Sequence, residues 1–248
     1  MLDYHFDEQI GAHALFYTLP WRSVPAFTSY TRDVNCVICE VRKPRRHCLG
    51  VHGDICTVCC GIERERTIDC PLECIYLRDA HEHERPPELD PSTLPNQDIQ
   101  ITEEFLRENE VLMAFLAIAV FEEAVRPPVA TDWDVREALE ALIQGYRTLQ
   151  AGLYYESVPT NVYAASIAAH VRSKVAEIRE KEIEAGGTPT IRDSAILAVL
   201  AFLQRLEYAH NNGRQRSRAF LDFLRGFYIP TEESDENVLE PDAPRIIL

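Results

Sequence analysis

From Asp98 onward, apolar residues recur every three or four positions, the spacing of side chains on one face of an α-helix. The first predicted helix covers about 100–126 and stops at Pro127-Pro128; its middle, VLMAFLAIAVF, is apolar on every side and belongs at the centre of a bundle. The second starts near Asp132, carries Val135, Leu139, Leu142, Ile143, Tyr146, Leu149 and Leu153 along one face, and is closed by Pro159. The third, about 160–184, has one narrow stripe (Tyr163, Ile167, Val171, Val175, Ile178), which places it outermost. Gly186-Gly187 ends it, and Thr188-Pro189 or Thr190 caps the fourth, about 190–211, whose AILAVLAFL is again apolar nearly all round. Asn211-Asn212-Gly213 is a stop, and a fifth helix, about 215–228, shows Phe220, Phe223, Leu224 and Phe227. No period recurs as a repeat unit would require.

The pattern before Asp98 differs. Residues 1–35 are aromatic-rich and broken by Gly11, Pro20 and Pro25, which reads as an irregular arm. Residues 81–97 are acidic and proline-rich, a connector, and 230–248 are acidic and proline-interrupted, a tail. Between arm and connector lies a segment, 36–80, with little hydrophobic pattern of its own. The predicted fold is mainly α: this small N-terminal module, then an all-helical bundle of about five helices over 98–229.

All eight cysteines fall between Cys36 and Cys74. Core cysteines would be scattered, so clustering at short intervals indicates metal ligation or a disulfide framework. The candidate ligands are Cys36, Cys39, Cys48, Cys56, Cys59, Cys60, Cys70 and Cys74, with His52 beside them. Zinc takes four tetrahedral ligands, so eight thiols suit two ions, and closed four-thiolate sites are structural rather than catalytic. A segment this short holds little core, and bound metal supplies its folding energy. Asp69 or Cys70 as cap and Pro71 at the first position predict a helix that sets Cys70 and Cys74 one turn apart. An iron–sulfur cluster lacks its usual ligand run, and a Cys59–Cys60 bridge would be strained.

Charge narrows the partners. The formal net charge is -15; residues 36–78 carry seven Lys/Arg and six Asp/Glu, a formal +1, and the rest sums to -16. That balance opposes non-specific nucleic-acid binding without excluding a local basic patch, and the expected partner is another protein. The Arg42-Lys43-Pro44-Arg45-Arg46-His47 run either contacts phosphates or neutralises zinc-bound thiolates, and the surrounding acidity favours the second. The first residues carry acids where a signal peptide is basic, and the longest apolar run is too short for a bilayer span. A cytoplasmic protein without membrane attachment is expected, in a reducing compartment where clustered thiols bind zinc.

The spacing C36-x2-C39-x8-C48-x7-C56-x3-C60-x9-C70-x3-C74 resembles the double-zinc fingers of the MYND and HIT type. The resemblance covers about residues 36–77 and implies a treble-clef-like module with interleaved ligands, serving protein–protein recognition. It would place Cys36, Cys39, Cys56 and Cys60 on one zinc and Cys48, Cys70 and Cys74 on the other. The position that supplies the fourth ligand in that pattern is Val51 here; His52 or Cys59 could complete the site, or Cys59 could replace Cys60 in the first.

Other candidates are weaker. His81 and His83 could bind metal but lack a third ligand, so a solvated helix end is the preferred reading. Glu207-x-x-His210 is the one match to a di-iron motif that needs two, and His170 reads as a boundary histidine. The expected function is a zinc-binding interaction or adaptor protein. The alternatives are a nucleic-acid-associated protein using Arg42–Arg46, or an enzyme with its site in the helical domain.

Overall fold

The computed structural model describes residues 35–85, 88–153, 157–188 and 190–228; the expected arm and acidic tail, and the Pro189 cap, lie outside them. The described chain is mainly helical. A two-stranded antiparallel hairpin, β1 (Arg46–Cys48) and β2 (Gly53–Ile55), leads into α1 (Thr57–Glu63) and α2 (Ile75–His83). After a single 3-10 turn come α3 (Glu103–Glu108), α4 (Glu110–Ala124), α5 (Asp132–Gln150), α6 (Val162–Glu184), α7 (Asp193–His210) and α8 (Ala219–Tyr228). No helix of the described residues is long and apolar enough to cross a membrane.

The bundle follows the hydrophobic pattern. Residues 196–203 of α7 are buried without interruption, and α5 packs against it through Val135, Leu139, Leu142 and Ile143. α6 lays Ala164, Ile167, Ala168, Val171 and Val175 across α4 and α5, while Tyr163 at the head of its stripe is exposed. The first predicted helix is in fact two. Asn109 ends α3 and begins α4, its side chain donating to the Phe105 carbonyl at 2.9 Å. A short amide that bonds its own backbone competes with helix continuation.

α5 opens with a capping box in which Thr131 and Asp134 satisfy each other's backbone N–H groups. Beside it, the buried Asp132 carboxylate caps a different helix, accepting from Phe220 N–H at 3.0 Å and Leu221 N–H at 3.2 Å at the start of α8. Arg205 closes the carbonyls of Pro95, Asn96 and Ile99, and Arg147 pairs with Asp98, so the chain entering α3 is fastened to α7 and α5.

A buried polar junction joins the module to α8. Arg218, 3 % exposed, donates to the carbonyls of Ala130, Val129 and Cys70 and to Asp69. Glu65, fully buried, accepts from Arg218 backbone N–H at 2.7 Å, Asn212 at 2.7 Å and Arg214 at 3.2 Å. His81 bridges the two sides, with Nδ1 2.8 Å from Asp222 and Nε2 3.1 Å from Glu65. His81 is therefore a buried ion-pair residue and not the solvated helix end expected from its sequence; His83, 76 % exposed, fits that expectation. α2 also begins later than Pro71 predicts. Residues 71–74 form a turn, with Cys74 N–H on the Pro71 carbonyl, and Cys74 is the helix cap.

Burial alone would favour a neutral His81, but the Asp222 and Glu65 carboxylates outweigh it and lift its pKa to about 9. Burial likewise works against charge on Glu65, and hydrogen bonding to His81 prevails and lowers it. The His81 contribution is complete below the ring's ordinary 6.5 and is lost as pH rises through about 9; the Glu65 contribution is complete above 4.5 and is lost in acid. Melting temperatures of wild type and His81→Gln should accordingly converge as pH climbs from 6.5 to 9. Arg218→Ala strands several buried acceptors and should cost on the order of 3 kcal/mol or more in urea unfolding; an unchanged midpoint would show that water replaces the guanidinium freely.

Candidate metal centre

Two short knuckles face each other. In the first, Cys36 N–H bonds the Arg42 carbonyl at 2.9 Å and Glu40 N–H bonds the Cys36 carbonyl at 2.7 Å, with Glu40 in the left-handed region (φ 56°) closing the turn. Val37 N–H on the Asp54 carbonyl and Arg45 N–H on the Ile55 carbonyl fasten this loop to the hairpin. In the second, Cys56 caps α1, and its sulfur accepts the Cys59 N–H at 3.3 Å. A sulfur at a helix N-terminus is held where negative charge is favoured.

The Sγ atoms of Cys36, Cys39, Cys56 and Cys59 all lie within 4.8 Å of one another, and all but Cys39 are buried. A tetrahedron with zinc–sulfur bonds has edges of roughly 3.8 Å, so the quartet fits such an ion with a contraction of about an ångström or less. The ion could be held by these four residues. Cys59 takes the place that the resemblance gives to Cys60. Cys59 is the third residue of α1, on the side of the capping sulfur, and Cys60 is turned a further 100° round the helix axis.

The protonation pattern shows what four crowded thiols require. Burial opposes charge on Cys36, yet hydrogen bonds from the backbone N–H groups of Cys39, Cys56 and Ile38 prevail and bring its pKa down to about 6. Cys39 is lowered chiefly by the backbone N–H groups of Arg42 and Val41. Cys59 is pushed up to about 12, by burial first and then by hydrogen bonding with the sulfurs of Cys56, Cys39 and Cys36. Without a cation, one member keeps its proton so that others can lose theirs. Arg42 answers the same charge: a hydrogen bond to Cys56 and the negative charge of Cys39 and Cys56 raise its pKa further.

Among the described residues the other four cysteines join no metal-sized group. Cys48 ends β1, Cys60 lies in α1, and Cys70 and Cys74 flank the turn before α2; Cys48, Cys60 and Cys70 share one buried cluster with Cys36, Cys56, Cys59, Ile55, Ile68 and Leu77, and the partly buried Cys39 and Cys74 pack against it. Cys70 is pushed up to about 11 by burial, with the charges of Glu65, Cys48 and Cys74 adding to the effect. Arg46 donates to the Cys60 sulfur at 3.4 Å while its guanidinium stacks on Tyr76, 4.1 Å from the ring centre. Gly50 has no room for a Cβ, which would stand 2.5 Å from the Asp69 carbonyl oxygen, so the β1–β2 turn presses against the chain leading to Cys70. His52 is exposed in that turn at φ 50°, and among the described residues it joins no metal-sized group.

The half-buried Arg46 thus reaches sulfur, as expected of a charge that neutralises thiolates; Arg42, which bonds Cys56, is exposed along with Lys43 and Arg45. In the bundle, Glu207 pairs with Arg136 at 2.5 Å and Asn211 at 2.7 Å, and His210 stacks on Phe223, so the Glu207-x-x-His210 motif is absorbed by packing. His170 sits 3.4 Å from Glu122. The carboxylates that enclose His81 escaped the sequence reading because they lie 16 and 141 residues away.

No protein-family model, curated protein or solved structure matches this chain. Elemental analysis of the purified, reduced protein should show Cys59→Ser losing one equivalent of metal and His52→Ala losing none. A Cys59→Ser protein with full metal would assign the quartet wrongly.

Proposed function

We propose that the module folds around two structural zinc ions and docks another protein, so that the chain works as a zinc-stabilised adaptor. The observation that carries this reading is the quartet of sulfurs within 4.8 Å of one another. Four thiolates are the donor set that zinc favours in closed sites, which leave no open position for substrate. The second ion would be held by Cys48, Cys60, Cys70 and Cys74, with Arg46 offsetting its charge as Arg42 offsets that of the first. This arrangement alternates along the chain, and the similarity to MYND- and HIT-type fingers, modules of protein recognition, supports it. Cytoplasmic placement follows from the need for reduced thiols.

Recognition by protein rather than nucleic acid is favoured by the orientation of the basic run. Two of its arginines bond sulfur, and a chain of formal charge -15 repels a phosphate backbone as a whole. Exposed apolar residues, among them Val41 at 79 % and Ile62 at 57 %, stand around the first knuckle and α1 instead.

Native mass spectrometry should find two zinc ions per chain, and Cys70→Ser should lose one while keeping the other. Val41→Glu/Ile62→Glu should keep both ions and lose capture of partner proteins that wild type retains after nuclease treatment. Capture abolished by nuclease would favour the nucleic-acid reading instead.

A further inference from the structure

The module turns an apolar rim to solvent. Val37 and Ile38 lie inside the first knuckle, Val58 inside the second, Val41 just after the first, and Ile62 one turn along α1 from Val58; all are exposed. Because the knuckles meet at one sulfur quartet, these residues surround a single centre. Isolated exposed apolar residues are ordinary, but a group on two adjoining turns marks a contact surface. Lys43 and Arg45 stand exposed beside it. An occupant needs apolar anchors together with negative charge.

One segment of this chain has both. Residues 231–248 read TEESDENVLEPDAPRIIL, in which Glu232, Glu233, Asp235, Glu236, Glu240 and Asp242 accompany Val238-Leu239 and Ile246-Ile247-Leu248, with Arg245 the one cation. The helix that precedes the segment is fastened to the module. α8 is tied to it by Arg218 on Asp69, Asp222 on His81 and Arg225 on the Leu72 carbonyl, and α8 ends at Tyr228. The residues after Tyr228, fully extended, reach on the order of 65 Å. A segment tethered this way samples its site at an effective concentration of about millimolar.

We propose that residues 231–248 dock in cis on this rim, with their carboxylates on Lys43 and Arg45 and their aliphatic residues against Val41 and Ile62. This rests on reading the rim as the protein-docking face. It makes the segment a built-in competitor, and an external partner displaces it by presenting an acidic, apolar-anchored stretch of its own.

The chain has three lysines, and Lys43 is the one in the module; Lys174 and Lys181 both lie on α6 and pair with Glu122 and Glu177. A carbodiimide joins a carboxylate to an amine with loss of water. The test therefore uses an equal mixture of unlabelled and 15N-labelled full-length, zinc-loaded protein, cross-linked when dilute and mapped by mass spectrometry. The expected product joins Lys43 to a carboxylate between Glu232 and Asp242 within one isotopic species. Its yield should fall several-fold in high salt and in Val41→Asp/Ile62→Asp. The proposal is overturned if this segment links only to Lys174 or Lys181, or if Lys43 links to carboxylates of residues 1–34 in its place. Isotopically mixed products, which would name a second copy as the occupant, or a yield indifferent to the double substitution, overturn it equally. Zinc counted on the same sample separates the two readings. Full zinc without the Lys43 product discards the docking alone, and missing zinc discards the adaptor reading, whatever the cross-links show.

Discussion

Four sulfurs gathered inside 4.8 Å, three of them buried, form an arrangement that protons alone serve poorly. Against burial, backbone N–H groups draw one thiol down to about 6, while burial first, and then hydrogen bonding with its neighbours' sulfurs, drives another to about 12. A divalent cation removes the conflict by taking the place of the protons. If the quartet holds such an ion, the rest of the module would depend on that exchange. Apart from cysteine, its buried cluster holds little more than Ile55, Ile68 and Leu77. A hairpin of three-residue strands and a helix of seven residues cannot persist on so small an interior. A cation on the quartet would stand in for the missing interior, and Val41 and Ile62 remain in water.

The bundle meets this module through a buried polar junction, beside which Leu72 of the module enters the bundle's apolar core. Glu65 sits between the two bodies, receives hydrogen bonds from three residues of the segment leading into α8, and lies against His81 of α2. Burying such a group is costly unless every oxygen is answered, and here both are. A network this specific fixes one orientation of module on bundle, since a shift of one residue would leave Glu65 or Arg218 unpaired. Asp132 acts in the same way within the bundle, capping α8 from the first turn of α5.

Much of the bundle was legible because helix periodicity is a local property. The apolar runs over 111–121 and 195–203 lie in α4 and α7, and the stop at Asn211 holds. What the pattern could not show depended on individual side chains. The break at Asn109 comes from an amide turning back on its own helix, and the delayed start of α2 comes from a turn over residues 71–74. The candidate centre was legible as a set of cysteines, because clustering is visible in one dimension. Its membership was not: Cys59 and Cys60 are neighbours in sequence, and only the capping geometry of Cys56 decides which one faces the first knuckle. His81 and His83 look alike on paper, and the carboxylates that bury one of them come from elsewhere in the chain.

The contact between Arg218 and Asp69 spans 149 residues, and this distance has a meaning during synthesis. A ribosome delivers the cysteines early and the last helix late. The sulfur quartet can therefore assemble long before the seat for the module exists. A premature stop ahead of Arg214 would release a chain whose sulfur sites are whole but whose Glu65 is left without its arginine partners. Cellular quality control would then be presented with a charged, unsatisfied interface rather than with an unfolded module.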